Sequence, residues 1–444
     1  MGHTQAGTEY ASSLLYTKCS PYVHRDVDGR RVAFESNACR RREGAALGRE
    51  KLSLNTFWTR SAKVPGPLAI CVAAPFLAAS ALAISAYEPA ASAQAAPTGT
   101  FTSRIFASGA HIFHATSKGE QPISDPDDIT FLHGGIFVGF QNGVGPQGQA
   151  SSSSNLDSTV VEFNLAGVAI GQWDVVGKCD GLTADPATGQ VIATVNEDAH
   201  SSIYLLTPAT ASVVHYRYNQ PLPSKGGTDA ISIYHGMVLI SASAPGITGR
   251  AAPQPTYPAV YRATFDAATG IATMHPLFFD EAPATVASRT SGSLGMVQHL
   301  ALTDPDSNED VPAFATRFAG DFMLTSQGDK EQIFVHDAGT SAQSVSVLAL
   351  SGSVDDTAWA SDGTGAIYTT DNSDNTVYKI TGPFQRGEVF VAATPCDANG
   401  APATCPGPGF PPNYLGQLNS ATGAISRAPL TGPAVATHAM LFLP

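Results

Sequence analysis

The chain has 444 residues, of which 14% are charged and 43% hydrophobic, enough apolar side chain for a large core and too much for disorder throughout. Its 42 glycines and 31 prolines, about one residue in six, interrupt the sequence too often for long helices and exclude an all-α or coiled-coil protein. Residues 1–95 hold 11 Lys and Arg against 7 Asp and Glu, whereas residues 96–444 hold 13 against 30, a net charge of −17. That balance excludes nucleic acid as a partner and suits divalent cations and small neutral or cationic ligands.

In chain order, residues 1–63 are Arg-rich without a hydrophobic period and are expected to be a disordered extension or an over-extended start. The stretch VPGPLAICVAAPFLAASALAISA from Val64 follows Arg60 and Lys63 and precedes ASAQAAP, the order of a secretory signal peptide. Residues 64–95 are read as that signal, with small-residue cleavage sites ending at Ala93 and Ala95. A membrane anchor is the competing reading, and Pro65, Pro67 and Pro75 stand against a continuous span. The mature domain is then 96–444, secreted or placed in the periplasm or cell envelope, with no stable span after cleavage. Cys396 and Cys405 bracket the loop CDANGAPATC and are expected to pair in an oxidising compartment, while Cys179 reads as a small buried hydrophobe.

The mature region repeats itself. DDITFLHGGIFVGFQN from Asp127 matches DAISIYHGMVLISASA from Asp229, with Asp and His-Gly at the same offsets. Related hairpins start at Asp180 (DGLTADPATGQVIATVNED) and Asp355 (DDTAWASDGTGAIYTTDN), and a fourth copy is placed at Gln298 with an insertion. A further pair of apolar runs follows each hairpin, for example VVEFNL and IGQWDV or TVYKIT and EVFVAA, giving four short strands per repeat. Such meanders stack radially as an all-β propeller of four-stranded blades, six expected and seven left open. The terminal THAMLFLP aligns with a first strand, placing His438 in the Asp column. TFTSRIFASGAHIFHA is expected beside it and NYLGQLNSATGAISRAPL as an outer hairpin of the same blade, so that both termini close the propeller and remove exposed edges.

The recurring Pro or Gly, then Asp-x-hydrophobic, a turn such as DPATGQV or SDGTGAI, and a run such as NTVYKITG, over roughly Asp127 to Ala393, resembles NHL-type and SMP-30/gluconolactonase-like propellers. The resemblance implies a six-bladed propeller, commonly with calcium at the mouth of the central channel, in a family holding lactone hydrolases and purely binding members.

Two columns are expected to meet at that mouth: Asp127, Asp180, Asp229, Gln298, Asp355 and His438 from the first strands, and Asn142, Asn196, Ser243, Gln327 and Asp371-Asn372 from the second. Carboxylates crowded around one axis repel one another, and a bound cation relieves that. The expected metal ligands are Asp127, Asp180, Asp229, Asp355, Asn196 and Asn372; the alternative is that each Asp caps a turn. Metal-assisted hydrolysis of a lactone or ester would use Asp355 and His438 to move protons. Against it stand a non-catalytic propeller holding a small ligand, glycan or protein at loops 251–257 and 396–412, and an envelope scaffold. His133 and His235 read as turn residues on the opposite face.

Overall fold

The structure is a computed structural model that describes residues 23–25, 31–33, 99–222, 227–243, 257–397, 405 and 412–444. The signal segment 64–95, most of the 1–63 extension and most of the 251–257 and 396–412 loops lie outside the described residues. The chain divides into two compact units, Met1–Ile84 and Ser85–Pro444. In the first, Val23–Arg25 pairs antiparallel with Arg31–Ala33.

In the second unit the described residues form short strands and two single-turn 3-10 helices, without an α-helix. No helix among them is long and apolar enough to cross a membrane. The strands assemble into four-stranded blades in a propeller arrangement. Blade A runs Pro126–Leu132, Gly135–Phe140, Asp157–Asn164 and Ala169–Val176, and blade B runs Cys179–Asp185, Gln190–Val195, Ser202–Thr207 and Ser212–Tyr218. Blade C comprises Ile231–Tyr234, Met237–Ser241, Pro258–Asp266 and Ile271–Phe279. Its last strand touches that of blade B through a short parallel contact, Arg217 opposite Ile271 and Tyr218 opposite Ala272.

Local chemistry explains these hairpins. His133-Gly134 and His235-Gly236 take φ of 49° and 94°, and 47° and 78°, the paired positive values of a two-residue primed turn. Asp185 and Asp266 close the next kind of turn by accepting hydrogen bonds from the amides of Ala187 and Ala268 and the hydroxyls of Thr188 and Thr269.

Three details depart from the sequence expectation. Blade D begins at Pro305–Asp310, not at Gln298, and continues through Phe322–Ser326, Glu331–His336 and Ser344–Ala349. Gln298 lies in Val297–His299, an exposed strand paired with Pro283–Val286 on the outer edge of this blade. Next, the hairpin read from DDTAWASDGTGAIYTTDN is divided between sheets. Val354–Trp359 pairs with Val389–Ala393, followed by Tyr414–Asn419 and Ala424–Arg427, to make blade E. Ala366–Asp371 and Thr376–Thr381 instead enter blade F. Finally, Phe101–Ser108 and Met440–Leu443 share blade F but are not neighbours, since those two strands lie between them, and the Tyr414–Arg427 hairpin belongs to blade E.

The core is a set of apolar layers between blades. Phe137, Trp173 and Val191 fill A–B, Ile203 and Ile240 fill B–C, and Tyr234, Phe322 and Ile333 fill C–D. Phe334, Trp359 and Val391 fill D–E, Phe101, Phe390 and Ile367 fill E–F, and Ile136, Phe140 and Tyr368 lie between F and A. Each large side chain removed from water contributes roughly 1.5–3 kcal/mol, so these layers hold the first strand of each blade against its neighbours. Those first strands line a common channel.

Candidate functional site

Four of the six first strands enter the channel through an irregularity. The pairing register slips between Pro126 and Ile129, Cys179 and Leu182, Pro305 and Asn308, and Val354 and Thr357. A bulge of this kind re-aims side chains and releases backbone groups from the ladder. It is here that Asp127, Asp180, Asp306 and Asp355 stand, with Asp229 and His438 at the corresponding points of blades C and F.

The released carbonyls are held from the neighbouring blade. Thr370 Oγ1 donates to Asp127 O at 2.6 Å, Thr194 Oγ1 to Asp229 O at 2.6 Å and Ser241 Oγ to Asp306 O at 2.8 Å. One residue deeper, Asp128 accepts the amides of Ile129 and Leu182, and Asp356 accepts those of Thr357 and Met440. Asp128 and Asp356 therefore satisfy bulged backbone, each joining its own blade to the next.

The resulting cavity, about 280 Å³, is lined by all six first-strand positions and is rich in carboxyl groups. His438 Nδ1 lies 3.0 Å from Asp355 Oδ2 and its Nε2 lies 3.7 Å from Asp127 Oδ1. Lys178 Nζ lies 2.8 Å from Asp180 Oδ1 and also contacts Glu197. Gln141 Nε2 donates to Asp180 at 2.9 Å and Gln327 Nε2 to Asp355 at 2.8 Å. Burial raises the carboxyls of Asp180, Asp229 and Asp306 well above the ordinary range, and neighbouring carboxylates add to the rise. Burial also lifts Asp127, offset in part by His438 and Lys178, to about 6. Burial alone would lower His438, but Asp355 and Asp127 outweigh it and push the imidazole up to about 10. At Asp355 burial is outweighed by His438 and by the hydrogen bond from Asp306, and its carboxyl is lowered.

Of the residues expected at the mouth, Asp127, Asp180, Asp229, Asp355 and His438 are brought together. Asn196 and Asn372 are not among the lining residues. Asn196 spends its side chain on backbone, accepting from Lys178 N at 3.0 Å and donating to His200 O, at a φ of 68°. Asn372 is exposed in a turn. Asn142 likewise serves Ser124, Asp157 and Thr159. Three participants were missed. Asp306 was signalled by Asp304-Pro305-Asp306, which repeats Asp125-Pro126-Asp127. Gln141 stands one position before Asn142, the residue expected at the mouth, and Lys178 has no repeat partner to reveal it.

The donor chemistry fits an oxygen-preferring cation: the ring offers hard carboxylates, and Asp180 Oδ2 is buried without a hydrogen-bond partner. Among the described residues no three His, Cys, Asp or Glu side chains are already spaced as a metal cage. Cys396 and Cys405 form a disulfide, with Cα atoms 5.4 Å apart, and Cys179 is a buried free thiol.

No family model and no curated protein matches the chain. Among solved structures, it is similar to a provisionally assigned gluconolactonase at 10% identity, covering 76% of this chain and 84% of that one, with a TM-score of 0.40. It is also similar to a luciferin-regenerating enzyme at 13% identity (59% and 79% covered, TM-score 0.33). An auxiliary nutrient binding protein from Bacteroides ovatus aligns at 15% identity (59% of each chain, TM-score 0.34). At these values the likeness adds nothing to the reading of the site. The architecture itself is that of the propellers the sequence resembles.

Proposed function

We propose that this is an exported propeller whose acidic channel mouth binds a divalent cation, calcium in the first instance, and with it a small neutral or cationic ligand. The observation that supports this reading is the convergence of Asp127, Asp180, Asp229, Asp306 and Asp355, from five separate blades, on one cavity. Carboxyls forced together in this way are raised by burial and mutual repulsion, and a cation removes that cost. The test is thermal melting of the mature protein in chelator and in calcium. Binding to the folded state alone stabilises by about 2.7 kcal/mol at a hundredfold excess over Kd. Asp306→Asn and Asp229→Asn are expected to reduce the calcium-dependent rise, and absence of any rise with calcium, magnesium or manganese would remove the proposal.

Hydrolysis of a lactone or similar ester is a second reading, supported by the placing of His438. With a carboxylate facing each ring nitrogen the imidazole is held as a charged donor, suited to giving a proton to a leaving oxygen and unsuited to taking one. Asp355 then keeps His438 charged and oriented. A bound divalent cation would supply polarisation of the ligand carbonyl. Turnover across a lactone and ester panel, abolished by His438→Ala, is the measurement this reading needs.

A further inference from the structure

We propose that Lys178 is a tethered cation that occupies part of the acidic ring and sets how strongly the ring takes an external divalent ion. This rests on the cation-binding reading above. The position two residues before each ring residue is Asp125, Gly227, Asp304, Ser353 or Ala436 in the other blades, and blade B alone places a basic residue there.

The Lys178 side chain is mostly buried, with 17% of its surface exposed, and its ammonium sits 2.8 Å from Asp180 Oδ1 while also bonding Glu197. Its backbone amide is fixed by Asn196, so the chain delivers the charge to one place. Asp180 is thereby engaged on one oxygen by Lys178 and Gln141, while its other oxygen, Oδ2, has no partner. A divalent ion approaching that free oxygen meets a fixed positive charge across a single carboxylate. It must bind beside the ammonium or displace it, and either route weakens binding. His438 supplies a second charge, but its direct contacts are with Asp355 and Asp127, whereas those of Lys178 are with Asp180 and Glu197. Removing Lys178 therefore leaves Asp180 and Glu197 with unbalanced charge that calcium can compensate, whereas removing His438 acts on a different pair.

The experiment is calorimetric titration of calcium chloride into the mature wild type, Lys178→Gln and Lys178→Arg, with melting of each in chelator and in calcium. Lys178→Gln should bind calcium at least about tenfold more tightly, since the like charge facing the ion is gone. It should also melt lower than wild type in chelator and gain more from calcium. Lys178→Arg, which keeps the charge, should stay close to wild type. Should Lys178→Gln fail to fold, Lys178→Gln/Glu197→Gln removes the pair together and carries the same comparison. Calcium binding by wild type with no tightening in the Gln variants would overturn the role of Lys178 and leave the ring proposal standing. Absence of binding in every variant would overturn both.

Discussion

The imidazole of His438 spans two blades, with Nδ1 3.0 Å from Asp355 Oδ2 in blade E and Nε2 3.7 Å from Asp127 Oδ1 in blade A. Taking it away strands two buried carboxylates, and breaking such a pair by removing one partner costs about 3 kcal/mol. His438→Gln should lower stability in urea unfolding by an amount of that order, and His438→Gln/Asp355→Asn should recover part of it. The sign with pH follows from a folded-state value raised to about 10: the contribution is complete below the ordinary 6.5 and fades as pH rises through 10. A loss under about 1 kcal/mol at pH 7, the scale of an exposed pair, would show that the contact carries little.

The hydroxyls that hold the bulged carbonyls are expected to matter to stability more than their size suggests. Thr370→Val and Thr194→Val keep shape and remove one donor, leaving the carbonyls of Asp127 and Asp229 without it in a buried setting. Each should cost about 1–3 kcal/mol. Chemical denaturation of the two variants checks this, and changes within about 0.5 kcal/mol, as for ordinary surface positions, would count against it.

Much of this architecture was legible because each blade restarts with the same local grammar. The Asp-x-hydrophobic entry, the His-Gly turn and the DPATGQV turn are short-range signals, and they placed Asp127, Asp180, Asp229 and Asp355 on the channel. The errors arose where pairing is long-range. SDGTGAI looks like the turn of one hairpin, yet Val354–Trp359 and Ala366–Asp371 belong to different blades, because Val389–Ala393 takes the place beside the first. Gln298 misplaces the start of blade D, which lies at Pro305–Asp310, because the insertion before Phe322 disguises the repeat spacing. Lys178 reaches the ring from outside the repeating column, and only packing reveals it.

Glu331 offers a pH test away from the ring. Burial, reinforced by Asp329, lifts its carboxyl from the ordinary 4.5 to about 7. The folded chain thus binds a proton between those values that the unfolded chain has lost, so stability falls as pH rises from 4.5 through 7. Glu331→Gln should gain on the order of 3 kcal/mol over wild type at pH 8 and nothing at pH 4. Parallel stability curves for the two proteins across that window would contradict the shift.

The Cys396–Cys405 bond closes a short loop and should add about 2–3 kcal/mol by loop entropy. Peptide mapping without reductant should recover the two peptides linked, and Cys396→Ser/Cys405→Ser should melt earlier. Equal melting of the double variant and the oxidised wild type would confine the bond's effect to the loop.

Metal content speaks most directly to the acidic ring. Protein purified without chelator, loaded with calcium, dialysed against metal-free buffer and then measured by elemental analysis, should retain a stoichiometric divalent ion, lost in Asp306→Asn/Asp355→Asn. Metal-free wild type under the same conditions, with melting unchanged by calcium, would mean that Lys178, His438, Gln141 and Gln327 satisfy the ring without a metal.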